Sequence, residues 1–123
     1  MKICVLSDET FGDYSPAYYL QDYDWETHFV KKPALEFLRK IARDNCYTVY
    51  LNLCDGGVDE DRPGLDLVEA LETLNLPFTG ADAKFYNPTR EHMQFIAEEL
   101  GINFARGFRA RSLDDLVQAE GLF

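Results

Sequence analysis

At 123 residues, with 22 acidic against 12 basic side chains, the chain carries a formal net charge of -10. That balance excludes a protein built to grip a phosphate backbone, which needs clustered Lys and Arg, and no apolar run approaches the roughly 20 residues of a membrane span. The length suits one domain, 1–123, able to bury roughly two-thirds of its unfolded surface without a disulfide or a structural metal.

Lys2 to Leu6 is β-branched and apolar and predicts a first strand, with Ser7-Asp8-Glu9-Thr10 as the loop at its carboxyl end. Its apolar run is too short for a secretory signal, so the expected location is the cytoplasm. No GxGxxG turn follows, and a dinucleotide fingerprint is therefore unsupported. Asp8 to Glu26 carries acids and aromatics (Tyr14, Tyr18, Tyr19, Tyr23, Trp25) but no Lys or Arg, and its period is neither helical nor strand-like. It is expected to form a long ordered loop with at most a short helix, either folded onto its own domain or serving as a lid or docking surface.

Lys32-Pro33 opens the first clear helix, whose apolar stripe is Ala34, Leu35, Phe37, Leu38, Ile41 and Ala42 and whose end is Asp44-Asn45. Thr48 to Leu53 predicts a buried strand that stops at the polar Cys54-Asp55-Gly56-Gly57. Leu65, Leu67, Val68, Leu71 and Leu74 then recur at helical spacing until Asn75, and Leu76 to Gly80 predicts a short strand returning to the sheet. Strand, crossover helix and parallel strand make a βαβ unit, which places Cys54–Gly57 and Thr79–Asp82 on one rim, where such sheets collect ligands. Ala81 to Tyr86 is expected to form one helical turn. Asn87-Pro88 predicts the start of a helix with Met93, Phe95, Ile96, Ala97 and Leu100 on its buried side and Gly101 as its stop. Ile102 to Arg106 predicts a fourth strand, and Ser112-Leu113-Asp114-Asp115 a capping box opening a last helix through about Gln118. The closing Leu122-Phe123 suggests a further strand beyond. The expected fold is α/β, a mostly parallel sheet of about four strands in a three-layer domain.

Three cysteines, Cys4, Cys46 and Cys54, show neither CxxC nor paired metal spacing, and are expected to be reduced thiols. Cys54 has no neighbouring base to activate it. Asp55, Asp59, Glu60 and Asp61 lack the DxDxDG order and offset glutamate of a calcium loop, and His28 and His92 have no second histidine or cysteine at ligand spacing, so no metal site is expected. Arg106, Arg109 and Arg111 could form a small anion-facing patch.

In their order and spacing, several segments together resemble the N-terminal, pre-ATP-grasp domain of ATP-grasp ligases of the D-alanine:D-alanine ligase type. They are Tyr50-Leu51-Asn52-Leu53-Cys54-Asp55-Gly56, the helix from Gly64 to Leu74, Leu76-Pro77-Phe78-Thr79-Gly80-Ala81, and Thr89-Arg90-Glu91-His92-Met93-Gln94 leading to Leu100-Gly101-Ile102. The resemblance runs from Lys2 to about Gln118, most clearly from Thr48 to Phe108. It implies a Rossmann-like domain on the substrate side of a carboxylate-amine ligase, in which ATP phosphorylates a carboxylate and an amine displaces the phosphate. The family's ammonium-holding glutamate after the first strand maps to Glu9, with Asp8 next to it. Asp55 and Thr79 would line the amino-acid end of the cleft, and Arg90 falls where the family has a phosphate-binding lysine, with a different donor geometry. Asp55-Gly56 replaces the His-Gly pair of many members, a departure that touches the preference for D-alanine.

The resemblance further implies that ATP and magnesium belong to an ATP-grasp domain outside this chain, which would be truncated and inactive alone, with no cofactor of its own. The expected partners are that domain and a small amino acid or peptide-like substrate, with no nucleic acid and no membrane; a homodimer is compatible. Two other functions compete. Asp8, Glu9, Asp55 and Thr79 mimic the strand-end pattern of a phospho-acceptor receiver, although only one clear helix separates Glu9 from Thr48 and no lysine follows a fifth strand. Alternatively, the chain is a binding or regulatory module that docks through its aromatic loop, 8–26.

Overall fold

The structure is a computed structural model that describes residues 1–11, 14–57, 59–105, 107 and 110–120. Ile3 to Leu6 send alternate side chains into two apolar surroundings, and that alternation makes β1 (Lys2–Ser7) the centre of a three-stranded sheet of order β2-β1-β3. Both neighbours run parallel to it. β2 (Asp24–Phe29) pairs from Lys2↔Asp24 to Ser7↔Phe29, and β3 (Val49–Asn52) pairs from Ile3↔Val49 to Leu6↔Asn52. The described helices are α1 (Ala34–Asp44), α2 (Leu65–Thr73), α3 (Arg90–Glu99) and α4 (Leu113–Glu120). They fall into two compact units, Met1–Tyr86 and Asn87–Phe123.

In the first unit, Cys4, Leu6 and Tyr50 bury one face of the sheet against Ala34, Leu38 and Ile41 of α1 and Leu67, Ala70 and Leu71 of α2. On the other face Ile3 and Val5 gather Leu20, Trp25, Val49 and Leu51. Both helices of this unit therefore cover one face, and Leu20 covers the other, so the unit carries one helical layer rather than the two expected.

The stretch expected to be a loop from Asp8 to Glu26 instead delivers β2. Its first part holds two short 3-10 turns, Glu9–Phe11 and Pro16–Tyr18, the second capped by Ser15, whose hydroxyl accepts from the Ala17 N–H at 3.3 Å. Tyr14, Tyr18, Tyr19 and Tyr23 stay exposed. β2 is an edge strand, and edges tolerate polar residues that a central strand would not. Glu26 and His28 share a face with Cys4 and Leu6, where the Glu26 carboxylate binds Lys2 Nζ at 3.1 Å and accepts the Tyr47 hydroxyl.

The predicted strand from Leu76 to Gly80 reduces to a single parallel bridge, Tyr50↔Phe78, on the edge of β3 away from β1. Tyr50 N–H donates to the Pro77 carbonyl at 2.8 Å and Thr79 N–H to the Tyr50 carbonyl at 3.0 Å. Pro77 has no N–H to extend the ladder, and Gly80, at φ +106°, turns the chain away. Ile102 to Ala105 forms no strand, and Arg106 lies outside the described residues, as do Arg109 and Leu122-Phe123. The described sheet thus has three strands, not four.

Helix ends follow the sequence closely. Asn75, at φ +50°, closes α2 with the Leu76 N–H donating to the Leu71 carbonyl at 3.0 Å, and Gly101, at φ +66°, closes α3 with Ile102 N–H donating to Ala97 at 2.8 Å. α3 starts two residues later than Asn87-Pro88 suggests, because the Thr89 hydroxyl takes the His92 N–H at 3.1 Å and becomes the cap. Before α4, Asp115 N–H donates to the Ser112 hydroxyl at 3.2 Å and Ser112 N–H donates to the Asp115 carboxylate at 2.9 Å, the expected capping box with aspartate in it. Among the described residues, no helix is long and apolar enough to cross a membrane.

Candidate functional site

Three parallel strands deliver their polar loops to one end of the first unit: Ser7-Asp8-Glu9 from β1, Val30-Lys31-Lys32 from β2 and Cys54–Gly57 from β3. Chain connections leave β1 toward β2 but leave β3 toward Phe78, on its opposite edge. Adjacent strands whose connections part in this way open a crevice at their carboxyl ends. Asp8 and Asp55 follow the carboxyl ends of these two strands, and Arg62 joins them.

Asp8 is 5% exposed. One carboxylate oxygen accepts the Thr10 N–H at 2.9 Å, which fixes the 3-10 turn after β1, and the other accepts Arg62 Nε at 2.6 Å. Arg62 Nη2 donates to Asp55 at 2.6 Å and Nη1 to Glu60 at 2.9 Å, and the same Glu60 oxygen takes the Gly57 N–H at 3.0 Å. The Thr10 N–H holds the Asp8 carboxyl below its ordinary value against the opposing effect of burial, and the guanidinium adds to that hold. In turn Asp8, then Asp55, raises Arg62 further above its ordinary value.

The backbone carrying Arg62 is pinched at its base. Gly56 N–H donates to the Pro63 carbonyl at 3.0 Å, Gly56 and Gly64 form a parallel bridge, and Tyr86 donates its hydroxyl to the Gly56 carbonyl at 3.0 Å. This close approach needs both glycines: a Cβ on Gly64 would lie 2.1 Å from the Gly56 oxygen, and one on Gly56 would lie 2.7 Å from the Arg62 carbonyl oxygen. Gly64 N–H donates to the Asp66 carboxylate at 2.9 Å, which ties the pinch to the first turn of α2.

Of the residues expected at the site, Asp8 and Asp55 meet at one guanidinium. Glu9 is exposed on the same rim and pairs with Lys31, and Lys32 binds Asp61 at 3.2 Å. Thr79 reaches the carboxyl end of β3, where its hydroxyl accepts the Asn52 N–H at 3.2 Å and docks the Phe78 segment. Arg90 is the exposed first residue of α3 in the second unit. Arg62 went unnoticed in the sequence. A lone Arg among Asp59, Glu60 and Asp61, in the loop after a buried parallel strand, is the signal that exposes it.

Asp8, Glu9, Asp55, Glu60 and Asp61 outnumber Lys31, Lys32 and Arg62, so the rim is net negative even with its ion pairs made. Such a field favours an ammonium group over a polyphosphate. Among the described residues, no three His, Cys, Asp or Glu side chains are grouped to hold a metal ion. The rim does not fit the polyphosphate of Mg-ATP, because Lys31, Lys32 and Arg62 are each paired to a carboxylate.

Cys54 sits beside this cluster, buried, and burial pushes its thiol up to about 12, with Asp8 and Asp55 adding to the shift; Cys4 is pushed up to about 12 by burial as well. Cys46 is exposed. Iodoacetamide at pH 7.5 is therefore expected to label one thiol per native chain rapidly, at Cys46, and all three after unfolding. Rapid native labelling of Cys54 by peptide mapping would contradict this.

Parallel strand order defines a parallel α/β protein, and the rim at its strand ends is negatively charged. No family model, curated protein or solved structure matches the chain.

Proposed function

We propose that the chain is the substrate-side domain of an ATP-grasp carboxylate-amine ligase of the D-alanine:D-alanine ligase type. The observation that carries this most is the buried Asp8 carboxylate at the end of β1, whose ionised form the Thr10 N–H favours. An amino-acid substrate needs an anionic site for its ammonium, and the net negative rim suits it. Glu9, one residue on, and the exposed Asp55 extend that site outward, while Thr79 shapes its β3 side through Asn52. ATP and magnesium would be supplied with a separate ATP-grasp domain, toward which Arg90 is the phosphate-facing candidate of this chain.

Calorimetry with the full chain tests the proposal. D-alanine or a related amino acid is expected to bind weakly, in the millimolar range that corresponds to about -4 kcal/mol, and Mg-ATP not to bind tightly. Micromolar Mg-ATP affinity with no amino-acid response would contradict it.

A second reading gains from β2. The order β2-β1-β3, with acids after β1 and β3 and Thr79 after the next segment, also suits a phospho-acceptor receiver. Its acceptor would be Asp55, whose carboxylate is mostly exposed but bound to Arg62. Acetyl phosphate with magnesium, followed by mass mapping, separates the two: a phosphoryl group on Asp55 favours the receiver, and none favours the ligase domain.

A further inference from the structure

The face of the sheet turned away from α1 and α2 is uncharged and only partly covered. By register it presents Ile3, Val5 and Ser7 from β1, Trp25, Thr27 and Phe29 from β2, and Val49 and Leu51 from β3. Among the described residues, Leu20 is the buried side chain packed on it; Trp25, Val49 and Leu51 are partly buried, and Phe29 is 41% exposed. Parallel sheets in α/β proteins are covered on both faces, and the cover is helical because crossovers place helices there. A helix is therefore the element this face lacks.

The segment that carries Leu20 sets the chemistry around it. Tyr14, Tyr18, Tyr19 and Tyr23 are all exposed, Tyr18 by 78% and Tyr19 by 72%, and among the described residues none of their hydroxyls has a hydrogen-bond partner. Asp22 and Asp24, on either side of Tyr23, are exposed and make no ion pair among the described residues. From Asp8 to Glu26 there is no Lys or Arg. Tyrosines supply large contact area at little entropic cost and attract cations over their rings. Carboxylates without a counter-charge beside them favour a basic partner. A second copy of the chain does not suit, because a two-fold contact sets a patch against itself and would here bring acids against acids on chains of net charge -10.

We propose that this face is a docking surface for an amphipathic helix of a partner protein. The apolar stripe of that helix lies on Trp25, Phe29, Val49 and Leu51, and its Arg or Lys flanks meet Asp22, Asp24 and the tyrosines. The surface is the flat of the sheet, not its strand ends, and stands independently of the amino-acid site proposed above.

Trp25 is the single tryptophan of the chain, so its fluorescence reports on this face alone. The probe is a peptide of about 18 residues built from Leu, Ala and Arg, with its leucines at helical spacing. One control scrambles the leucines out of their stripe, and another carries Glu in place of Arg. With the full chain, the striped basic peptide is expected to bind at micromolar concentration and move the Trp25 emission to the blue, and both controls to bind about tenfold more weakly or worse. Tyr18→Ser with Tyr19→Ser, at two exposed positions, is expected to weaken binding about tenfold. Asp22→Asn with Asp24→Asn is expected to weaken it severalfold, whereas Glu36→Gln with Glu69→Gln, which removes the same charge from exposed positions of α1 and α2 on the covered side, leaves it unchanged. Equal binding of the scrambled peptide, no response of Trp25, or equal losses in the two charge variants overturns the proposal, since each would mean a general attraction of basic peptides to an acidic protein. Sedimentation of the chain alone, from micromolar to submillimolar concentration, is expected to show a monomer; a dimer whose formation moves the Trp25 emission gives the face to a second copy and overturns it as well.

Discussion

Gly64→Ala is expected to destabilise the protein by about 3 kcal/mol or more. The added methyl group would sit 2.1 Å from the Gly56 carbonyl oxygen, 2.8 Å from its carbon and 2.8 Å from the Tyr86 hydroxyl oxygen. Two of these neighbours are backbone, so relief requires the bridge between Gly56 and Gly64 to open. That would break the Gly56 to Pro63 hydrogen bond, loosen the start of α2 and shift Arg62 from Asp8. Gly57→Ala is the control, because its Cβ meets only flexible acidic side chains, Asp59 at 3.2 Å and Glu60 at 3.6 Å. Urea unfolding distinguishes them: a midpoint well below that of Gly57→Ala is expected for Gly64→Ala, and equal midpoints would show that the pinch is not what holds this loop.

The second large effect is electrostatic and depends on pH. Asp8 has a lowered carboxyl pKa in the folded chain, so it contributes stability that is fully present above the ordinary carboxylate value of about 3.9 and is lost as pH falls through the lower folded value. Asp8→Asn preserves an oxygen for the Thr10 N–H but leaves Arg62 facing a neutral amide. At pH 7 the loss is expected to be about 2 kcal/mol, the scale of a hydrogen bond to a charged group. Below about pH 4 the gap between the natural chain and Asp8→Asn should narrow as Asp8 itself takes up a proton. Urea unfolding of both proteins from pH 7 to pH 3 checks this, and a gap constant across the range would place the stabilisation elsewhere.

Which features were legible in the sequence follows from whether their causes are local. Asn75 and Gly101 stop their helices by adopting a left-handed backbone, a property of the residue itself. The Ser112–Asp115 box likewise depends only on spacing. β1 and β3 are marked by apolar runs because the sheet buries them from both sides. β2 is different. Glu26 and His28 lie on its helix-facing side, and what makes them acceptable there, Lys2 and Tyr47, comes from distant parts of the chain. Ile102 to Ala105 shows the reverse error, an apolar segment with strand character that finds no strand to pair with among the described residues. At the site, Asp8 and Asp55 could be placed on one rim from strand order alone. The residue that joins them could not, because Arg62 is 54 positions from Asp8 and its role exists only once the glycine pinch has folded.

The carboxyl ends of β1 and β3 are where this protein is proposed to meet its ligand. A backbone amide NMR titration of the full chain with D-alanine asks this directly. Shifts concentrated at Asp8–Thr10, Asp55–Gly57 and Arg62 are the predicted result. Shifts gathered instead at the Lys2, Glu26 and Tyr47 cluster, or none at millimolar amino acid, would contradict it.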